Sequence, residues 1–500
     1  MATMSLLPGE SGRNSVAHVH VLRRVPPGAL AACGIAAISL AAALVAGSVP
    51  HLPFALDRCD AVTIGLAFAI GLTTLVWPEL ALPAIVIAAG LLDFQFGGER
   101  VRHLVFVKLA LFACSGLGVV FAGITRPSRF VRVRTPGDAP ALCLVCYTAA
   151  SAAYGYLGAG YELDPVAVAS YHLSQLALYH FLVTTTLSRP DSFRRAGTII
   201  IAWSLLCIVT SLMTPGRGGG TASTWLIVLL CYTAAGRTWW AGLAWAAMPF
   251  ALLDTLTSGY RTLWVSVAAQ VGWLASRVFG LRIHRLRATA AALLILCALS
   301  AATVLAAPSL LSPLPAAETL HRFGASLTDA GYRLPEALVG LAAFRESIVF
   351  GRGVGYHTAP LWIETMGYMP VGPIYHVYYV SYLSNEGIVG LAIVLWYFLA
   401  VLFSRQTRRM RQQASERRWA AAGIGLQAAF FGAVVGAFAS GPSDGHWTWG
   451  VLGAGTLLCA VWTSQRLTHS CRRASGTELT VETGPGSEGT PGVRAYHGAN

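Results

Sequence analysis

Three side chains in the second half of the sequence have the types and surroundings for acid–base and anion chemistry. His376 opens the run His376-Val-Tyr-Tyr-Val-Ser-Tyr-Leu-Ser-Asn-Glu386-Gly387-Ile-Val-Gly390. An imidazole with an unperturbed pKa of about 6.5 suits a general base that takes a proton from a hydroxyl. Arg261, in Ser258-Gly-Tyr-Arg261, and Arg333, in Gly331-Tyr-Arg333-Leu-Pro, each present a planar fork of N–H donors that matches phosphate oxygens in pairs. Two such forks can grip a diphosphate and stabilise it as it departs. Plainer readings stand beside these. Histidine and tyrosine are ordinary residues at a membrane interface, and each arginine can reach lipid headgroups or pair with Glu336 or Glu346.

Other residues have supporting or rival roles. Arg217, in Pro215-Gly-Arg217-Gly-Gly-Gly, is an alternative phosphate contact, and Asp254 is placed to pair with Arg261. Glu386 is expected to steady the His376 region or cap its helix. Tyr356, Trp362, Tyr368, Tyr375, Tyr378 and Tyr379 can stack on sugar rings, although an interfacial aromatic belt is the favoured reading. His446, Trp447 and Trp449 read as interface. Cys143 and Cys146 form a CxxC without a second pair, so it is read as neither a metal nor a redox site. No DxD-type carboxylate cluster stands in an outer loop to hold a divalent ion.

The elements that must carry these residues follow from composition. The 500 residues are 55% hydrophobic and only 11% charged, with a mean hydropathy of +0.59, whereas soluble domains carry about a quarter charged residues. Apolar runs of the roughly 20 residues needed to cross a bilayer recur along the chain. Spans are expected near 28–50, 61–77, 78–94, 103–124, 138–157, 169–187, 197–213, 221–236, 238–257, 261–280, 287–307, 387–403, 419–439 and 447–464. The short links within 61–94 and 221–257 leave the number at about 11 to 14. The fold class is therefore an all-α polytopic transmembrane bundle. Residues 1–27 are polar and precede a run long enough to span, so no cleaved signal is expected.

The net charge of +13 is carried almost wholly by arginine, Lys108 being the only lysine. The arginines cluster in short connections rather than in a stripe, which speaks for membrane orientation and against nucleic acid. Arg126, Arg129, Arg132 and Arg134 share one loop, and Arg189, Arg194 and Arg195 the next but one. Arg282, Arg285 and Arg287, then Arg405, Arg408, Arg409, Arg411, Arg417 and Arg418, continue the alternation. These loops are expected to be cytoplasmic, as are both termini, including a disordered tail over 465–500. The opposite face receives one long hydrophilic segment, 308–386. One straight helix over 376–403 would measure about 40 Å at about 1.5 Å per residue, too long for a core of about 30 Å. A break is expected at Gly387 and Gly390, with Ser381, Ser384, Asn385 and Glu386 making the first half polar enough to lie in the interface.

In order and spacing these residues resemble the O-antigen ligase and polymerase superfamily of bacterial polytopic membrane glycosyltransferases. Its shared region has an arginine opening a span, two spans, a long outer loop with an arginine, and a histidine followed at fixed distance by Gly-x-x-Gly. Arg261, the spans 261–280 and 287–307, Arg333, His376, Gly387 and Gly390 match in turn, over roughly residues 250–405. The stretch Arg345-Glu-Ser-Ile-Val-Phe-Gly351-Arg-Gly353-Val-Gly355 is similar to the glycine-rich stretch before that histidine. Val377 departs from the pattern, which has a polar residue there.

The resemblance implies an inner-membrane enzyme that transfers or polymerises a glycan on the extracytoplasmic face, without metal or nucleotide sugar. The donor would be linked to undecaprenyl diphosphate, and the acceptor would be a glycan, a lipid or a protein. His376 would be the base, with Arg261 and Arg333 on the diphosphate. It also implies a division into a cytoplasmic segment 1–27, N-terminal helices 28–257, a ligase-like region 258–464 containing the outer loop 308–386 with short helices, and the tail 465–500. The rival reading is a transporter or flippase for cell-surface polysaccharide precursors, disfavoured because the polar residues gather at one outer surface rather than in mid-membrane.

Overall fold

The apolar runs become helices in the computed structural model, which describes residues 65, 69–87, 101–125, 133–213, 222–234, 239–257, 261–278, 284–306, 330–357, 361–363, 367–369, 375, 377–412, 418–438 and 445–474. After helical turns at 69–76 and Pro78–Ile87 come α1 (Val101–Thr125), α2 (Asp138–Ala153), α3 (Leu163–Thr186), α4 (Pro190–Met213), α5 (Ala222–Ala234), α6 (Trp239–Thr257), α7 (Arg261–Val278) and α8 (His284–Ala306). Then follow α9 (Ala330–Glu346), α10 (Tyr378–Phe403), α11 (Arg405–Gln412), α12 (Arg418–Gly436) and α13 (Gly445–Ala474). The expected span at 28–50 and the tail lie outside the described residues.

Among the described residues, four stretches are by length and composition able to cross a membrane: Asp138–Gly158, Pro165–Thr186, Tyr378–Gln412 and Arg418–Gly436. Several other expected spans contribute shorter apolar helices, such as Ser223–Ala234, Ala241–Leu252 and Trp449–Ser464. Within the long hydrophilic segment the described residues also include a strand pair. Strands β1 (Leu361–Ile363) and β2 (Gly367–Met369) pair antiparallel, with Trp362 opposite Tyr368, an aromatic pair suited to a pleated surface.

Helix α12 is central, packing on α7, α13 and α5, while α13 continues to α3, and α3 to α2. Small residues let the backbones approach closely. A Cβ on Gly432 would meet the Ser266 carbonyl of α7, and one on Gly450 would meet the Leu176 carbonyl of α3. Trp449, expected at an interface, is instead fully buried. It meets Tyr378 edge-on at 5.4 Å and Phe398 at 5.1 Å, a geometry that aromatic quadrupoles favour. Helix α10 turns Ile388, Leu395, Trp396 and Leu399 outward as an exposed apolar face.

Candidate functional site

Helix α10 breaks where its sequence changes from polar to apolar. Gly387 has φ 66° and ψ −162°, a left-handed conformation open to glycine at no steric cost. The break deprives a full turn of its i to i−4 hydrogen bonds, and buried backbone groups need replacement partners. The loop after α9 supplies most of them. Ile388 N–H donates to Ile348 O at 2.9 Å and Val389 N–H to Val349 O at 3.3 Å, while Ser384 O accepts from Arg352 N–H at 2.8 Å and Asn385 O from Gly353 N–H at 3.0 Å. Tyr147 OH donates to Glu386 O at 2.9 Å. Gly351, Gly353 and Gly355 all have positive φ, which lets the loop lie flat against the break. A Cβ on Gly351 would strike the Asn385 backbone.

The polar residues before the break are not at an interface, as the sequence suggested, but inside the protein. Ser381, Ser384, Asn385 and Glu386 are all fully buried. Their polar groups are absorbed by local partners: Asn385 Nδ2 donates to Ser381 O at 3.0 Å, and Asn385 Oδ1 accepts from Gly355 N–H at 3.2 Å. Glu386 Oε1 accepts from Thr148 Oγ1 at 2.5 Å, whereas Oε2 has no hydrogen-bond partner among the described residues. Gly390, helical and without a side chain, makes room for that carboxyl. Glu386 therefore joins α10 to α2 and does not cap a surface helix.

His376 and Arg217 lie outside the described residues, but the neighbours of His376 are firmly held. Tyr375 is fully buried; its N–H donates to Ser381 Oγ at 2.8 Å, which in turn donates to Tyr375 O at 3.3 Å. Burial pushes the Tyr375 phenol up to about 12, with the Ser384 hydroxyl pulling the other way. It stays protonated at neutral pH. Tyr378 and Tyr379, candidates for sugar stacking, are buried structural residues: their hydroxyls donate to His172 O at 2.6 Å and Val434 O at 2.7 Å.

Arg261, Arg333 and Asp254 stand on described helices, though their side chains lie outside the description. Arg261 is the first residue of α7. Ser266 of that helix abuts Gly432 of α12, and the end of α12 receives the Tyr378 N–H on Ala437 O at 3.5 Å. The starts of α7 and α10 thus share one end of the bundle. Arg333, expected in the long outer segment with its short helices, stands in the first turns of α9. That helix packs on Tyr375 and Val380 through Gly340, seven residues and about 10 Å further along the helix from Arg333. Glu346, a candidate partner of Arg333, pairs with Arg352 at 2.9 Å. The Arg352 guanidinium also lies 5.0 Å over the Tyr356 ring, and Tyr161 OH donates to Arg352 O at 2.9 Å.

At the other end of α10 is a cluster that the sequence did not suggest. His180 is fully buried, with Nε2 3.0 Å from Asp138 Oδ1 and Nδ1 2.9 Å from Tyr397 OH. Thr135 Oγ1 donates to Asp138 Oδ1 at 2.7 Å. The one available signal was polar residues within apolar runs, which does not say who meets whom. Compared with known proteins, the chain matches no family model and no curated sequence.

Proposed function

We propose that this chain is a polytopic inner-membrane glycosyltransferase, with both termini cytoplasmic and its site extracytoplasmic, that takes a glycan from an undecaprenyl-diphosphate-linked donor. His376 removes the proton from the acceptor hydroxyl as that oxygen attacks the anomeric carbon. The bond from that carbon to the diphosphate breaks, and Arg261 and Arg333 hold the departing diphosphate. The acceptor is a glycan, a lipid or a protein.

The observation that carries this reading is the break at Gly387. It ends a buried, hydrogen-bonded half-helix at whose start His376 follows an anchored Tyr375, at the bundle end where α7 begins with Arg261. A base must be held still to act, and the residues that flank His376 in sequence, Tyr375 and the half-helix from Tyr378, are buried and hydrogen-bonded. The apolar face of α10 and the stretches of spanning length support a membrane setting.

A second reading, a transporter or flippase of polysaccharide precursors, draws on the same helix, because a broken helix with a buried carboxylate such as Glu386 is also how transporters build midplane sites. Complementation of a deletion strain with wild type, His376→Ala, Arg261→Ala or Arg333→Ala separates the two. At equal membrane levels, the transferase reading expects each variant to fail like the deletion, with lipid-linked glycan accumulating on the outer face. Accumulation on the inner face, or full complementation, favours transport.

A further inference from the structure

The arginine-rich end of the bundle holds a group of cations in close company. Arg277, in the last turn of α7, lays its guanidinium 4.1 Å over the Trp273 ring and 6.0 Å from the centre of the Phe403 ring. Trp273 is itself stacked on Phe431 at 4.2 Å, so the platform is rigid. Arg408 and Arg411 of α11 approach the same place, and Arg411 feels the charges of both Arg277 and Arg408. Arg408 Nε donates to Phe403 O at 3.1 Å and Arg411 Nε to Thr407 O at 3.4 Å, which fixes both side chains at the foot of α10. Arg277 Nε is buried and has no acceptor among the described residues. Among the described residues, no carboxylate pairs with any of these arginines.

A helix dipole welcomes a cation in its last turn, but that accounts for Arg277 alone. Like charges held together repel, more strongly where neighbouring aromatics exclude water. An anion with several acceptor oxygens would balance these charges, since guanidinium forks bind phosphate in pairs. The aromatic floor of Trp273 and Phe403 suits the glycerol and upper acyl region of a lipid, where indole rings settle.

We infer that Arg277, Arg408 and Arg411 form a binding site for the phosphodiester headgroup of an anionic phospholipid in the leaflet at this end of the bundle. The inference rests on the membrane setting proposed above and is independent of the glycosyl-transfer chemistry. The lipid would tie α7 to the α10–α11 junction, bridging elements whose charges otherwise push them apart.

The test uses the full chain in a neutral detergent. Native mass spectrometry and thermal unfolding would be followed with phosphatidylglycerol, phosphatidylcholine or inorganic phosphate added. Phosphatidylglycerol is expected to stay bound and raise Tm, with affinity at least about tenfold above phosphatidylcholine, and inorganic phosphate not to displace it. Arg277→Gln/Arg408→Gln/Arg411→Gln should abolish that preference, whereas Arg405→Gln/Arg409→Gln, on the same short helix, should keep it. Should the triple variant not fold, the exposed Arg408→Gln alone should weaken the preference. Equal binding of both lipids, equal loss in the control variant, or retention by the triple variant would overturn the site. Displacement by inorganic phosphate would overturn the lipid as its source. A chain that fractionates without membranes or detergent would refute the membrane reading itself, whereas a membrane-extracted chain with no lipid preference refutes only this inference.

Discussion

The hydroxyl of Thr148 donates a 2.5 Å hydrogen bond to the carboxyl of Glu386, joining two helices at residues 238 positions apart in the chain. This contact, the neighbouring bond from Tyr147 OH to Glu386 O and the loop 347–355 fasten the broken helix α10 to the bundle. Thr148→Val keeps the shape but removes the donor from a fully buried carboxyl, which costs about 1–3 kcal/mol. Thermal unfolding in detergent should show Thr148→Val well below wild type and Thr148→Ser close to it. A neutral Thr148→Val would mean that Glu386 finds another donor.

Gly387 and Gly390 should behave differently from each other. Alanine at Gly387 is forced into a positive φ, at a cost of about 1–2 kcal/mol, and its Cβ also meets the Val349 carbonyl. For alanine at Gly390, the nearest atoms its Cβ would meet all belong to the Glu386 side chain. Gly387→Ala should lower Tm and membrane yield severely. Gly390→Ala should be milder, and milder still in a Glu386→Ala background, as judged by a double-mutant cycle. Additive effects of Gly390→Ala and Glu386→Ala would contradict the packing described.

Ser381 brackets the backbone of Tyr375, the residue before His376. Ser381→Ala should cost only about 1 kcal/mol of stability. Its effect on transfer should be larger, at least about tenfold, because a base displaced by a fraction of an ångström loses alignment. The ratio of activity to folded protein in membranes reads this out. An activity that falls only in step with folded protein would leave Ser381 a purely structural role.

The Asp138–His180–Tyr397 chain lies at the opposite end of α10 from His376 and should serve stability alone. Tyr397→Phe removes the partner of His180 Nδ1 and is expected to cost about 0.5–1.5 kcal/mol, with transfer per folded molecule unchanged. A selective loss of transfer would instead connect this cluster to the reaction.

Much of the helical layout was legible in the sequence because apolar length and arginine spacing are one-dimensional signals. The start of α7 at Arg261, the break at Gly387 and the short link between α5 and α6 could be read directly. Partnership was not legible. Ser381, Asn385 and Glu386 read as an interfacial surface because polar residues usually face water, yet the loop 347–355, some 30 positions away, and Thr148 and Tyr147, from across the bundle, bury them. Trp449 read as interface for the same reason, since its burial depends on Tyr378 and Phe398 arriving from α10. The arginine cluster escaped notice because charge alternation explained Arg408 and Arg411 singly while Arg277 stood inside an expected span, and only packing shows Arg277 beside Arg408 and Arg411.

The most direct measurement is the release of undecaprenyl diphosphate by purified wild-type protein and its His376→Ala variant. The donor would be lipid-linked glycan extracted from the deletion strain, supplied with native acceptor and a metal chelator. The account expects release coupled to glycan transfer by the wild type, undiminished by the chelator and reduced about 100-fold or more in the variant. Equal release by both proteins, or none by a folded wild type, would contradict it.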